Sequence, residues 1–373
     1  MKLKLIYLLL IVVCLSSCSN NRSQFKCYSA EAQERTILTE ENLPKLENLK
    51  LEKIDIPSGD IFSSAFVFYD TVLVVINDKT PDPYIVRFFD MNSKKIIAEY
   101  FKKGSGPNEL ITPDGMQMKN NLLITDITQK SISIINVDSV IIKKTEYQPT
   151  THKIITDLLT EYVPKNSQSI IAPNYYFFNE IENKSEPEFL EYDINTGLEL
   201  TKYEKSRDYF CANVSFRSVY YNDHSNQYIV CWDKYPLINI YDNNLNLQKQ
   251  IMGPEPIDLE LELRDGGEVL EISNSNTYYF SNGCQTENYL LLLNSRQHKI
   301  TNEEMDCEEG YSKQEFWLFD NDMNLVRRFI PKNTNSVEGV YYLSYDEKNQ
   351  NIYAVAIDPE EGEMVLFKFN AED

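Results

Sequence analysis

The chain is poor in the groups that usually carry chemistry, with 3 histidines, 2 tryptophans and 12 glycines in 373 residues. Basic residues are also scarce, 36 Lys and Arg against 57 Asp and Glu, for a formal charge of −21. A surface of that sign repels phosphate backbones, so no nucleic acid partner is expected. Gly-x-Ser-x-Gly does not occur, which removes support for a hydrolase elbow. A phosphate loop ending in Gly-Lys-Ser/Thr and a complete dinucleotide fingerprint are missing as well. None of the seven cysteines sits in Cys-x-x-Cys or beside a histidine, so neither a zinc ribbon nor a redox pair is indicated. Long apolar runs are lacking: 5–15 is about half of the roughly 20 residues a spanning helix takes, and no later run approaches that length.

What is there begins with Lys2 and Lys4 ahead of that run, the layout of a secretory leader. Leu15, Ser16, Ser17 and Cys18 then resemble the lipobox of bacterial lipoproteins. The resemblance implies a diacylglyceryl thioether on Cys18, cleavage after Ser17 and acylation of the new amine. Each buried methylene is worth about 0.8 kcal/mol, so two or more acyl chains suffice for stable membrane anchoring. Residues 1–17 are therefore expected as a lipoprotein signal peptide, 18–45 as a lipid-anchored polar tether with a helical turn near 30–35, and 46–373 as the folded body. Loss of Lys2 and Lys4 leaves the mature chain at −23. Ser19 after the cysteine resembles lipoproteins passed to the outer membrane. Residues 20–24 lack the acidic run resembling a surface-export signal, so the expected location is the outer membrane, on its periplasmic face.

Cys14 leaves with the leader, and Cys27, Cys211, Cys231, Cys284 and Cys307 remain beside Cys18. Five is odd, so at least one thiol stays unpaired or bonds outside the chain. Cys211 with Cys231, and Cys284 with Cys307, are compatible pairs in an exported protein, full reduction being the alternative.

One pattern recurs six times: an apolar strand ending in Asp or Asn, a short polar turn, and a second strand. The marker residues are Asp90, Asn136, Asp193, Asp242, Asp320 and Asn370, about 50 residues apart except for one gap of 78. That period suits one four-stranded blade, and Asp or Asn at the strand end suits a tight turn. Each copy is preceded by another strand pair, such as 66–69 with 73–76, 218–221 with 228–232 and 340–343 with 352–357. The second copy is read as strand 131–136 before strand 140–142. Insertions at 253–276 and 297–312 account for the long gap. The sixth period supplies three strands only, and the alternating segment 49–56 is expected to complete that blade from outside, since propellers avoid a bare edge. The fold class is therefore all-β, a six-bladed β-propeller with four antiparallel strands per blade, closed by an N-terminal strand.

After the outer strand of the first blade comes Gly104-Ser105-Gly106-Pro107-Asn108-Glu109, with a fainter echo in Gly253-Pro254-Glu255. Recurrence at the same blade position favours a structural crossing for Gly104, Gly106, Pro107 and Glu109. With this loop and the lipobox, the chain resembles the six-bladed β-propeller lipoproteins of Bacteroidetes, the TolB-like or NHL-like group, over about residues 45–373. Leu110 stands where that group usually has an aromatic. The resemblance implies the fold and no general activity.

His152, His224 and His298 fall in different repeats, and a ring could bring them round its channel as a metal triad, as in NHL-type lyases; scattered structural or surface histidines are the alternative. The segment starting at Asp320 opens like a calcium loop but lacks the glycine at the sixth place and the glutamate at the twelfth, so it reads as a hairpin turn. The acidic stretch 303–309 reads as a solvated loop, and the 25 tyrosines mostly as packing between blades, with some near strand ends free to stack on a sugar or peptide. Two functions compete. The first is a membrane-anchored binding or scaffold module for an envelope protein, peptide or glycan, without cofactor and monomeric. The second is a channel-centred metal-dependent lyase or hydrolase.

Overall fold

The middle strands of the repeats are buried on both sides: Val72–Ile76 and Leu237–Tyr241 are buried at every residue. A sheet built on such strands needs cover on two faces, as the interior strands of multilayer folds do. The computed structural model describes residues 32–55, 65–77, 83–118, 121–126, 128–153, 163–164, 169–173, 187–193, 199–204, 217–232, 236–254, 261–263, 269–271, 280–295, 314–332, 340–357 and 364–370, and they form an all-β propeller.

The first sheet runs Ala65–Tyr69, Val72–Ile76, Tyr84–Asp90 and Lys95–Lys103, with Glu109–Leu110 lying parallel to the end of its outer strand. The second runs Pro113–Met118, Asn121–Asp126, Ser131–Asn136 and Thr150–Lys153, and the third Val163–Pro164, Ser169–Pro173, Pro187–Asp193 and Glu199–Glu204. The fourth runs Arg217–Asn222, Gln227–Trp232, Leu237–Tyr241 and Leu247–Met252. Leu261–Leu263 and Val269–Glu271 pair as a separate hairpin inside the insertion that follows. The fifth runs Phe280–Gln285, Tyr289–Ser295, Gln314–Asp320 and Leu325–Lys332, and the sixth Val340–Asp346, Asn351–Ile357 and Met364–Phe369. Strand direction alternates, so first-to-second and third-to-fourth turns share one end of the body, the turn end. Second-to-third and sheet-to-sheet connections share the other, the crossing end.

Neighbouring sheets are held face to face by apolar clusters. Val74, Phe88 and Ala98 of the first meet Leu122, Ile124 and Ile135 of the second. Ile229, Ile238 and Ile240 of the fourth meet Leu290, Leu292 and Trp317 of the fifth, while Leu291, Phe316 and Leu318 on its other face meet Ile352, Ala354 and Phe367 of the sixth. The sixth packs in turn on the first, where Phe68 stacks on Tyr353 with ring centroids 3.6 Å apart.

The marker aspartates do what their chemistry suggests. Asp242 Oδ1 accepts from Asn244 N and Asn246 N, each at 2.9 Å, and Asp320 Oδ1 accepts from Asp322 N at 3.1 Å and Asn324 N at 2.8 Å. Both are hairpin turns in which the carboxylate binds downstream amides. The second copy departs from the expected strand at 140–142. Asn136 Oδ1 instead accepts from Ser139 N at 2.8 Å and caps an α-helix, Val137–Lys143, with Asp138 in its first turn and Lys143 in its last. Val137, Val140 and Ile141 then face the first-sheet cluster at helical spacing, and the outer strand is Thr150–Lys153. The β-branched run 140–142 looks like strand, and the cap together with helical-face burial overrides it.

Residues 32–55 form a strap over the outer edges of three consecutive sheets. Glu34–Ile37 pairs parallel with Leu247–Met252, Leu46–Lys50 parallel with Leu325–Lys332, and Glu52–Ile54 antiparallel with Met364–Phe369. Leu38 is buried in the cluster between fourth and fifth sheets, and Leu49 and Leu51 in that between fifth and sixth. Every strap strand also places an acid opposite a base of the strand it covers: Glu34 with Lys249 at 3.4 Å, Glu47 with Arg327 at 2.9 Å and Glu52 with Lys368 at 3.9 Å. These pairs are open to solvent, and their part is to favour register. Arg328 is different: buried, it donates to Glu315 at 2.6 to 2.9 Å and to Pro44 O at 3.3 Å.

The strap corrects two expectations. Segment 49–56 is not one strand, because the chain crosses from the fifth sheet's edge to the sixth's at buried Leu51. The stretch 18–45 is not all tether, because Glu34–Ile37 is already paired, with a strand where a helical turn near 30–35 is expected; Cys18 and Cys27 lie outside the described residues. Among the later cysteines, Cys231 is buried, and Cys211 and Cys307 are outside the described residues. Cys284 is a free thiol in the fifth-to-sixth cluster, not joined to Cys307, and burial pushes it up to about 12.

Leu49→Ala should therefore lower the unfolding free energy by about 2–5 kcal/mol, the cost of a buried leucine, read from the urea midpoint. A negligible shift would mean that the strap lies outside the cooperative unit. Cys284 should resist iodoacetamide in the native protein near its unfolded pKa of about 8.5 and react only on denaturation. Because its folded value is raised, the stability it contributes is complete below about pH 8.5 and fades as pH rises towards 12.

Candidate binding face

At the crossing end, the 104–109 loop joins the first sheet to the second and is braced from within. Gly104 N donates to Leu110 O at 3.0 Å, Glu109 N to Gly106 O at 3.1 Å, and Gly106 N to Glu109 Oε2 at 2.7 Å. The carboxylate thus fills the concave side of its own loop. A Cβ on Gly104 would sit 2.2 Å from Glu109 Oε2 and one on Gly106 2.9 Å from it, and Gly104 also has a φ of +152°. Pro107 is exposed at the loop tip. From the second sheet, Gln129 Nε2 donates to Gly104 O at 2.9 Å and Glu109 O at 2.6 Å. Buried Asp126 accepts from Gln129 N and Ile111 N, and Lys153 Nζ donates to Gln129 O at 3.2 Å. The loop's polar groups are used internally, so it works as a crossing brace between two sheets.

Further round the crossing end, Gln314 of the fifth sheet makes a two-point amide bond to Val340 of the sixth, donating at 3.1 Å and accepting at 2.6 Å. Gly253 N donates to Pro236 O at 2.6 Å within the fourth, and a Cβ on Gly253 would meet Pro236 Cβ at 2.5 Å. These last two contacts fix strand ends beside the long connections 254–279 and 296–313; a third long connection, 174–186, leaves the same end. At the turn end the connections are two to five residues long apart from 137–149.

At the turn end, side chains of the first strands stitch sheet to sheet. Phe68 N donates to Ser344 Oγ at 2.8 Å, Asp70 N to Asp346 Oδ1 at 2.9 Å, and Asn222 Nδ2 to Asn321 O at 3.1 Å, while midway along the strands Leu343 N donates to Asn282 Oδ1 at 2.9 Å. Lys348 Nζ donates to Asp70, which raises the lysine's pKa. Tyr69 donates to Asp138 Oδ2 at 3.3 Å, and burial, then the Asp138 charge, pushes its hydroxyl up to about 12. Tyr345 is raised by burial and then by Glu287 and Glu347. Such hydroxyls stay protonated and act as donors. Sequence reasoning missed this stitching, although Asn222 and Asp346 at the ends of first strands were its visible signal.

The histidines are not gathered. His152 is half-buried on the outermost strand of the second sheet, His224 is exposed in a turn of the fourth, and His298 lies outside the described residues. No group of three or more His, Cys, Asp or Glu disposed to hold a metal occurs among the described residues. The channel triad fails for His152 and His224 because antiparallel pairing sends one to the rim and the other to a turn.

Residues 65–340 match the family model described as TolB-like 6-blade propeller-like. The chain belongs to this family. Two solved structures resemble this TolB-like propeller. One, a member of the DUF4221 family from Bacteroides vulgatus, is 12% identical with a TM-score of 0.55, covering 87% of this chain and 98% of its own. The other, from Bacteroides fragilis and named as exported, is 12% identical with a TM-score of 0.53, covering 90% and 98%. At that identity the likeness concerns the fold. No curated protein matches the chain. No helix among the described residues is long and apolar enough to cross a membrane.

Gly104→Ala should cost about 1–3 kcal/mol of stability through backbone strain and the clash with Glu109. In a Glu109→Ala background the same change should cost measurably less, because the clash is gone. Equal costs in the two backgrounds, by urea denaturation, would show that the carboxylate is not what the glycine accommodates.

Proposed function

We propose that this propeller is a membrane-anchored binding or scaffold lipoprotein that holds an envelope protein, peptide or glycan at its crossing end. The observation that carries this reading is the difference between the ends. The turn end has short connections apart from 137–149 and is spent on sheet-to-sheet hydrogen bonds, whereas the longest connections, 254–279 and 296–313, leave the crossing end beside strand ends fixed by Gly253 and Gln314. Variable connections on a rigid scaffold are the usual seat of recognition. In this reading the six sheets are the six blades of one closed ring, the last completed by Glu52–Ile54, and it is supported by the packing of the sixth sheet on the first. Cys18 carries the lipid, and the body lies at the outer membrane on its periplasmic face, as a monomer without a cofactor.

A photo-crosslinker at Ser105 or Lys130, both exposed at the crossing end, should capture protein or glycan in whole cells, and one at Asn244 in the turn end should not. Equal capture from both ends, or none above background, would remove the support for this face. Cys18→Ala should release a folded, soluble propeller from membranes; a variant that stays membrane-bound would show that the anchor lies elsewhere.

A further inference from the structure

Four exposed lysines of this acidic chain, Lys94, Lys95, Lys143 and Lys144, stand on one sector of its outer rim. Lys94 and Lys95 are exposed where the outer strand of the first sheet begins, and the helix of the second sheet ends nearby with exposed Lys143 and Lys144. The two elements touch, since Tyr100 Oη donates to Lys144 O at 2.7 Å. Asp90 is held below its ordinary pKa first by the Ser93 hydroxyl, then by backbone amides, and last by the Lys144 charge. Two large apolar side chains stand in the same sector, Ile96 at 48% exposure and Ile142 at 79%. The acids on these elements and beside them are Asp90, bound to Asn92 N and Ser93 Oγ, Asp55, 3.9 Å from Lys94, Glu99, 3.5 Å from Arg87, Asp138, which accepts from Tyr69, and exposed Glu146.

We propose that Lys94, Lys95, Ile96, Ile142, Lys143 and Lys144 form the patch by which the body rests on an anionic bilayer surface. The isoleucines enter the interface and the lysines meet headgroups. Exposed apolar side chains ringed by cations are the composition that such surfaces select. A second observation agrees. Glu34–Ile37 runs parallel to Leu247–Met252, so the segment leading back to Cys18 joins the body at the turn end, the end that carries this patch. Contact is at the rim, because the carboxylates of Asp70, Glu287 and Glu347 lie on first-to-second-strand turns nearer the axis, and it leaves the crossing end facing away from the membrane. The inference rests on the lipid-anchored reading above.

The test uses the unlipidated Cys18→Ala protein in flotation with phosphatidylcholine vesicles, with and without phosphatidylglycerol. Binding should require phosphatidylglycerol, weaken with salt, and fall about fivefold for each lysine removed. Lys95→Glu with Lys143→Glu, and separately Ile142→Asp, should abolish most of it at an unchanged thermal midpoint. Equal flotation with both vesicle types, or no loss in either variant, would overturn the proposal. Binding to soluble polyglutamate through the same lysines without flotation would overturn it in favour of an acidic protein. The anchor is tested apart, by the mass of the lipid adduct on Cys18 in the wild-type protein: its absence would end the lipoprotein reading and leave the flotation result standing.

Discussion

Burial of both faces of each well-described sheet is the constraint on which the rest depends. Strands such as Val72–Ile76 and Leu237–Tyr241 are buried on both faces, so no sheet is stable alone and each is stabilised by the next. Clusters join first to second, fourth to fifth, fifth to sixth and sixth to first. Trp317, Phe316 and Phe319, all fully buried in the fifth sheet, show how completely the two faces are consumed. What remains for function is what face-to-face packing cannot use: the two ends and the rim.

Packing of faces leaves the outer edges unsolved, and an unpaired edge strand is a template for unwanted association. The strap answers this for the fourth, fifth and sixth sheets. Its apolar side chains enter between sheets, and its acids face bases on the strands it covers. Arg327 and Arg328 grip it from adjacent positions, one through Glu47 and the other through the Pro44 carbonyl. Buried Arg328 is held by Glu315, whose carboxylate also accepts from Trp317, so neither charge is left unpaired in the core. The segment that leads to Cys18 is thereby part of the body it would anchor.

The two ends divide the work. Stitching by Ser344, Asp346 and Asn222 at the turn end uses polar groups that a binding site would otherwise present, and in return ties neighbouring sheets together. The crossing end carries the longest connections, and Gln129, Gln314 and Gly253 fix strand ends there.

Much of this was legible in the chain itself. The Asp and Asn markers announce strand ends because their carboxylates and amides bind the next turn's own backbone, a local interaction. Glu109 after Gly104 and Gly106 announces a self-braced loop for the same reason. Other features needed the tertiary structure. Residues 140–142 carry a strand's composition, yet helical burial against the first sheet decided their conformation. Segment 49–56 alternates like a strand, yet which edge it meets, and where it divides, depended on sheets hundreds of residues away. His152 and His224 have the right chemistry for a ligand set, and only their places on rim and turn separated them. Alternation and capping act between near neighbours and are written in sequence; the choice of a partner edge, a face or an end is made by burial between distant segments, and no local pattern records it.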